Sequence, residues 1–206
     1  AKAAFGNDEV YLEKLVRRAR HVEVQVIGDS HGNLVHAYER DCTVQRRNQK
    51  VVERAPAPYL DDARRAELCE SALKLARAAH YTHAGTVEFL MDDSGQMYFI
   101  EVNARIQVEH PVTEMVTGVD LVRSQILIAY GEPLSRILPA EIPIRGHAIE
   151  CRINAEHPET FTPSPGVVRA FSVPGGPGIR VDTFAHAECT VPPYYDSLVA
   201  KIMAHG

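Results

Sequence analysis

Carboxylate, amide and guanidinium side chains alternate with apolar ones between Ile100 and Glu109. A period of two is typical of a strand with one buried face, so the polar side chains should share the opposite face. That face holds two carboxylates, an amide pair and a guanidinium but no lysine, a composition that is typical of a functional site rather than of an ordinary solvent face. Its members are Glu101, Asn103, Arg105, Gln107 and Glu109. The alternative interpretation is an ordinary charged strand face in solvent.

The residues before this stretch predict a β-hairpin. Gly85–Met91 and Gln96–Val102 are rich in strand-forming residues, and Asp92–Gly95 has the composition of a turn. Gln96 can pair with Met91 across a four-residue loop or with Asp93 across a two-residue loop. Both registers put Glu88 on the same face as Glu101. We therefore expect the two carboxylates to lie about 5–8 Å apart.

Two carboxylates so close repel each other unless a positive charge lies between them. Mg²⁺ prefers one or two carboxylates and completes its shell with water and phosphate oxygens. The Asn103 carbonyl is a further oxygen ligand within reach. Glu88, Glu101 and Asn103 are therefore the candidate metal ligands.

Composition limits the other possibilities. The 206 residues are 45% hydrophobic and carry a net charge of −5, so the chain can bury a core and offers no basic surface for nucleic acid. The longest apolar runs are only a few residues long, which predicts no membrane span or signal peptide. The four cysteines form no Cys-x-x-Cys pair, so we expect reduced thiols and a cytoplasmic location.

The chain begins at Ala1 without a methionine and ends at Gly206 directly after a strand-like segment. We therefore expect it to be a portion of a longer protein.

The first half should hold a second hairpin. Apolar and polar residues alternate in His21–Gly28, which predicts a strand with Val22, Val24 and Val26 facing inward. Leu34–Glu39 forms its return strand. The densely charged stretch from Glu39 to Glu53 is interpreted either as a solvated loop or as an anion-binding surface. Its donors in the second case would be Arg46, Arg47 and Lys50.

Two amphipathic helices are predicted, one from Asp62 to His80 capped by Asp61 or Asp62 and one from Asp120 to Tyr130. Three prolines between residues 131 and 145 indicate a boundary, which divides the chain into 1–130 and 131–206. Strands are expected beyond it at 146–154, 167–173 and 179–184. A structural salt bridge is the default interpretation of Arg152.

Nine runs of residues, in this order, resemble biotin carboxylase, and among its relatives the chain is most similar to the biotin carboxylase subunit of bacterial acetyl-CoA carboxylase. The runs are Tyr11–Lys14, Arg20–Gln25, Glu39–Cys42, Gln45–Arg47, Gln49–Val52, Phe99–Asn103, Arg105–Glu114, Glu150–Glu156 and Pro192–Ser197. The resemblance implies an α+β chain. Its first part would be the C-terminal portion of an ATP-grasp fold, and 131–206 would begin the biotin carboxylase C-terminal domain.

The resemblance also implies a role for each matching residue. Nucleotide binding is implied for Glu13, Lys14, Leu15, Val16, His21, Gln45, Asn48, Glu88 and Leu90. Contacts to bicarbonate or biotin are implied for Lys50, Arg105, Gln107, Val108 and Arg152. Glu109 would be the general base, with Arg105 and Arg152 as further catalytic residues.

The implied reaction is the ATP- and bicarbonate-dependent carboxylation of biotin on a carrier protein through carboxyphosphate. Its cofactors would be ATP and Mg²⁺ or Mn²⁺, with biotin as the substrate. A biotin carboxyl carrier protein, a carboxyltransferase and a second copy of the chain are the implied partners, with neither nucleic acid nor membrane among them.

Two departures from the family pattern are apparent. Asn48 stands where histidine is usual, and the N-terminal domain and glycine-rich lid do not occur in these 206 residues. We expect the 206 residues alone to be inactive.

Three other functions are weighed against this one. They are the biotin carboxylase part of a pyruvate, propionyl-CoA or other acyl-CoA carboxylase, an ATP-grasp ligase joining a carboxylate to an amine, and a non-catalytic nucleotide-binding module. Arg152 with Glu109 argues against the ligase, and the intact carboxylates argue against the module.

Overall fold

The computed structural model describes residues 2–206 and places eight strands in one antiparallel sheet with the order β5-β4-β1-β2-β3-β6-β10-β8. These strands are β1 (Arg20–Gly28), β2 (Leu34–Arg46), β3 (Gln49–Ala55), β4 (His83–Met91), β5 (Met97–Asn103), β6 (Ala148–Asn154), β8 (Ile179–Thr183) and β10 (Leu198–His205). The short strands β7 (Gly166–Val167) and β9 (Thr190–Val191) pair separately.

Within residues 2–206, five helices accompany the sheet: α1 (Lys2–Phe5), α2 (Asp62–Ala78), α3 (His110–Thr117), α4 (Leu121–Ala129) and α5 (Leu134–Ile137). Helix α2 packs its apolar side, including Leu68, Ala72 and Ala76, against valines of β1 and β4. Helix α3 contributes Val112 and Val116 to a separate cluster with β3, β6 and β10. The mixture of helices and one large sheet confirms the α+β class.

Aspartates begin both of the predicted helices. The Asp61 side chain accepts a hydrogen bond from the Arg64 amide at 2.8 Å, and Asp120 accepts one from Arg123 at 2.8 Å. A carboxylate there satisfies amides that have no partner inside the helix. Both predicted helices are present, and Asp61 rather than Asp62 caps the first.

The sheet is continuous across the boundary predicted at 131–145. Strand β3 pairs with β6, with Val52 opposite Cys151 and Glu53 opposite Glu150. Hydrogen bonds of one sheet therefore join the two parts, and the division into 1–130 and 131–206 stays a prediction.

The stretch from Glu39 to Glu53 is not a solvated loop. Strand β2 continues to Arg46 and turns through Arg47 and Asn48 into β3. The two turn residues have φ values of 50° and 63°. Such a two-residue turn joins antiparallel strands readily, and asparagine tolerates this left-handed conformation better than most residues.

The strand predicted from Ile100 to Glu109 is wrong in its second half. Strand β5 ends at Asn103, and α3 begins at His110. Because β5 lies at the sheet edge, Ile100 and Val102 remain 39% and 41% exposed. Beyond the strand the buried side chains are the polar ones, Gln107 and Glu109, at 6% and 2% exposure.

Two further differences concern local patterns. The strand predicted at 167–173 is reduced to β7, because the ladder with β9 covers only Gly166 and Val167 and backbone hydrogen bonds to the facing segment extend only to Val168. Helix α3 was not predicted, although Pro111 occupies its first turn, where proline is favoured.

Candidate active site

A cavity of about 540 Å³ opens where the β4–β5 hairpin, the β2–β3 turn, the segment 104–109 and β6 meet. Most of the residues predicted to carry chemistry line this cavity. They are His21, Gln45, Asn48, Lys50, Glu88, Leu90, Glu101, Asn103, Arg105, Gln107, Val108, Glu109 and Arg152. Gln49, Ile100, Asn154, Asp196 and Leu198 line it too, although no role was predicted for them.

The segment Glu13–Val16, for which the resemblance implies nucleotide binding, is not among the cavity-lining residues. It lies in the exposed N-terminal stretch before β1, where Leu15 is 75% exposed. Lys14 Nζ donates to the Tyr98 hydroxyl at 2.9 Å and lies 4.5 Å from the Tyr98 ring centroid. Tyr98 of β5 pairs with Leu90 of β4, and Leu90 lines the cavity. The Lys14 contact therefore brings the segment next to these two strands.

Lys50 is the central cation of the site. Its ammonium group donates to Glu88 at 2.9 Å, to Glu109 at 2.7 Å and to Glu23 at 2.5 Å. Burial disfavours the charged form, but Glu23 and Glu109 outweigh it and raise the Lys50 pKa well above its usual range. Lys50 therefore stays charged and holds three carboxylates around one point.

Glu109 lies between two cations. One carboxylate oxygen accepts from Lys50, and the other accepts from Arg152 Nη2 at 3.0 Å. Burial acts to raise the Glu109 pKa, but Lys50, Arg40 and Arg152 together lower it to about 2. The carboxylate is thus ionised at neutral pH.

Glu88 receives donors on both oxygens. His21 Nε2 lies 2.7 Å from Oε2, while Asn103 Nδ2 and Gln107 Nε2 each donate to Oε1 at 3.0 Å. Burial acts to raise the Glu88 pKa, but hydrogen bonds from His21 and Lys50 outweigh it and hold the pKa well below its usual range.

The candidate metal ligands lie together at the open side of the cavity. Glu88 is directly opposite Glu101 in the β4–β5 ladder. The Asn103 Nδ2 donates to a Glu88 oxygen at 3.0 Å and to a Glu101 oxygen at 3.2 Å. The two carboxylates are oxygen donors of the kind a hard divalent cation takes, and Asn103 would join them with its oxygen once the amide turns over.

Arg40 was missed by the sequence analysis and organises the floor of the site. It is fully buried and donates to Glu23, to Gln25 at 2.8 Å and to Gln107 at 3.4 Å. Glu23 and Gln25 alternate along β1 with the inward valines Val22 and Val24. By that pattern alone they would face solvent. Both are 0% exposed, and Arg40 also donates to Thr113 of α3 at 3.0 Å, so the polar groups of this face pair with one another.

The segment 104–109 is held from β6 and β10 as well as from β3. Lys201 Nζ on β10 donates to the Val108 carbonyl at 2.7 Å, and Arg152 on β6 reaches Glu109. Arg152 also donates to Glu53 at 2.6 Å. The salt bridge expected for Arg152 is therefore present, and it is made to two carboxylates, Glu53 and Glu109. Arg105 is exposed and bonds only to the neighbouring Ile106 carbonyl, at 3.2 Å, among the residues described.

The chain matches two family models. Residues 1–137 match the carbamoyl-phosphate synthase L chain, ATP binding domain, and residues 150–206 match the biotin carboxylase C-terminal domain. The chain is 57% identical over its whole length to the biotin carboxylase of Allochromatium vinosum, of which it covers 45%. It thus spans about half the length of the curated relatives it matches.

Two solved structures extend this comparison. Pyruvate carboxylase of Rhizobium etli is 53% identical with a TM-score of 0.94, over all of this chain and 20% of that one. The biotin carboxylase domain dimer of Hydrogenobacter thermophilus 2-oxoglutarate carboxylase, in complex with MgADP, ADP and bicarbonate, is 49% identical with a TM-score of 0.94. That match covers all of this chain and 45% of the domain.

Proposed function

The chain belongs to the family of carbamoyl-phosphate synthase L chain ATP-binding domains, in its biotin carboxylase form, and we propose that the protein carrying it carboxylates biotin on a carrier protein with ATP and bicarbonate. One observation supports this most directly. Glu109 is bonded to both Lys50 and Arg152 inside the cavity that Glu88, Glu101 and Asn103 also line. A carboxylate held between two cations can exchange one of them for an incoming anion and then accept its proton.

Bicarbonate would enter beside Arg105 and Gln107. Its negative charge attracts Lys50 and Arg152 away from Glu109, and the Glu109 pKa rises as those contacts weaken. Glu109 then accepts the bicarbonate proton, and the freed oxygen attacks the γ-phosphorus of ATP. The bond from that phosphorus to the bridging oxygen breaks, releasing ADP and leaving carboxyphosphate.

The nucleotide would lie along β4 and the β2–β3 turn, near His21, Gln45, Asn48 and Leu90. Mg²⁺ or Mn²⁺, held by Glu88, Glu101 and Asn103, supplies charge neutralisation at the phosphates when bound. The fixed cation Lys50 acts on the same charge. Preorganised positive groups of this kind are the main protein contribution to phosphoryl transfer.

Carboxyphosphate then divides into CO₂ and phosphate. The phosphate removes the proton from the biotin ureido nitrogen, and that nitrogen attacks CO₂ to form carboxybiotin. Negative charge builds up on the ureido oxygen during this step. Arg152 is suited to stabilise it, because a guanidinium can donate to that oxygen while keeping its bond to Glu53.

We propose as partners a biotin carboxyl carrier protein, a carboxyltransferase and a second copy of the chain, with the reaction being the first half of acetyl-CoA carboxylation in the cytoplasm. Among residues 2–206 no helix is both long and apolar enough to cross a membrane. Pyruvate and 2-oxoglutarate are the alternative final acceptors of the carboxyl group. They are supported because the Rhizobium etli and Hydrogenobacter thermophilus relatives are carboxylases named for these two compounds.

The test is ADP release by the complete protein that contains these residues, with and without bicarbonate and free biotin. We expect release to require bicarbonate, to rise with biotin and to collapse in Glu109→Gln. Glu67→Gln, an exposed carboxylate on α2, is the matched control. Release that ignores bicarbonate and biotin would favour another ATP-grasp ligase, and no release would favour a binding module.

A further inference from the structure

Two glutamates behind the cavity face each other inside the sheet. Glu53 on β3 is directly opposite Glu150 on β6, and both are 0% exposed. Facing carboxylates at this position of an antiparallel ladder have Cβ atoms about 5 Å apart and repel each other when both are ionised. The arrangement therefore needs a compensating charge.

The hydrogen bonds of this pair are incomplete. Glu53 Oε1 accepts from Arg152, but Glu53 Oε2 and both oxygens of Glu150 have no partner among the described residues. An ionised carboxylate buried without donors is strongly disfavoured, whereas a protonated one supplies a donor of its own. A proton on Glu150 would remove the charge from a carboxyl group that has no donor and would relieve its repulsion with Glu53.

The surrounding charges favour one proton. The carboxylates of this cluster are Glu23, Glu53, Glu88, Glu109 and Glu150, and its cations are Arg40, Lys50, Arg152 and Lys201. Lys201 also pairs with Asp182, which pairs with Arg180 and through it with Glu114, and Glu88 contacts His21. Cys151 on β6 and His110 on α3 are the other titratable groups nearby. The carboxylates outnumber the arginines and lysines, which favours a proton on one of the buried carboxyl groups.

Burial raises the pKa of Glu150 to about 8, although Lys201 acts against it. Burial likewise raises the pKa of Glu53 to about 7, with Arg152 acting against it. Glu53 has the guanidinium partner and Glu150 has none, so the proton belongs on Glu150.

We propose that Glu53 and Glu150 hold a single proton between them and that Glu53 is the positioning residue for Arg152. Glu53 accepts from Arg152 Nε, which fixes the plane of the guanidinium, and Nη2 reaches Glu109 at 3.0 Å. Arg152 Nη1 has no partner among residues 2–206 and remains for the substrate. The catalytic part of this inference rests on the proposed function.

The first test does not depend on activity. Thermal unfolding of the complete protein is measured from pH 5 to pH 8.5 for the parent, Glu150→Gln and the exposed control Glu67→Gln. The native state keeps the Glu150 proton while the unfolded state loses it above about pH 4.5, so the parent loses stability as pH rises toward 8. The Tm of Glu150→Gln relative to the parent should therefore rise by at least about 2 °C over this range. For Glu67→Gln we expect the difference in Tm from the parent to be independent of pH. The same independence in Glu150→Gln would overturn the shared proton.

The second test separates positioning from a purely structural role. Glu53→Gln should raise KM for free biotin about tenfold, the equivalent of one charged hydrogen bond. KM for ATP should change less than about twofold, since the nucleotide residues are not touched. Glu150→Gln keeps a donor facing Glu53 and should leave the biotin KM near that of the parent, whereas Glu150→Leu should raise it.

The outcomes distinguish this inference from the proposed function. Equal losses for biotin and ATP in Glu53→Gln, or no loss, would overturn the positioning role. A parent protein without biotin-dependent ADP release would refute the proposed function and with it the role of Glu53 toward biotin. The thermal series would still decide whether the two glutamates share a proton.

Discussion

Glu88 of β4 is directly opposite Glu101 of β5, although the same strands pair Met91 with Met97 next to their turn. Continued without interruption, that register would place Ile100 opposite Glu88. One extra residue on β5 shifts the ladder between Phe89 and Glu88, and this bulge returns Glu101 to the cavity face. Gln96 pairs with neither Met91 nor Asp93, so both predicted turn registers were wrong. The predicted placement of Glu88 and Glu101 on one face is nevertheless confirmed.

The first prediction concerns this carboxylate pair. Glu101→Gln keeps the shape of the side chain but removes one negative ligand, so the Mg²⁺ concentration for half-maximal ADP release should rise about tenfold or more. Titration of activity with Mg²⁺ at saturating ATP measures it. Glu67→Gln should titrate as the parent does, and an unchanged Mg²⁺ dependence in Glu101→Gln would exclude Glu101 as a ligand.

The second prediction concerns Lys50, whose side chain is 12% exposed and contacts three buried carboxylates. Lys50→Met leaves these charges uncompensated and should cost about 3–5 kcal/mol of unfolding free energy at neutral pH. Protonation of the carboxylates relieves the repulsion, so the deficit should shrink at pH 5. Urea unfolding at both pH values checks this, with Lys74→Met on the exposed side of α2 as the control. A deficit independent of pH would argue against the charge mechanism.

The third prediction follows from the Glu109 pKa of about 2. The unfolded group ionises near pH 4.5, so the native contacts contribute stability above that pH and lose it as pH falls toward 2. Glu109→Gln should be less stable than the parent at pH 7, by about 3 kcal/mol. The difference in Tm should narrow as pH falls from 4.5 to 3. A constant difference over this acid range would contradict a lowered Glu109 pKa.

The fourth prediction concerns Lys201, which bonds to the Val108 carbonyl from β10. Lys201→Met keeps the chain length but removes the donor, so the segment carrying Gln107 and Glu109 should lose precision. KM for bicarbonate should rise about threefold to tenfold, with a smaller effect on KM for ATP. Steady-state kinetics with each substrate varied decides it. The exposed control Lys74→Met should match the parent.

The local sequence was sufficient for elements whose determinants are neighbours in the chain. Asp61 and Asp120 begin helices because their carboxylates reach amides three residues away. The β4–β5 hairpin follows from its turn residues and flanking strand formers. Most of the predicted site residues also line one cavity, although their individual roles remain predictions.

Tertiary structure alone decided which polar faces are buried. Alternation in β1 marks two faces, but a pattern of period two cannot tell whether both will be covered. Glu23 and Gln25 are buried between β2 and β4, and Arg40 arrives from the next strand, where Thr113 of α3 also accepts from it. The same limit hid Glu53 and Glu150, whose partnership depends on β3 meeting β6, nearly one hundred residues later in the chain. Burial and charge pairing at that distance depend on which strands become neighbours, and local spacing carries no information about that choice.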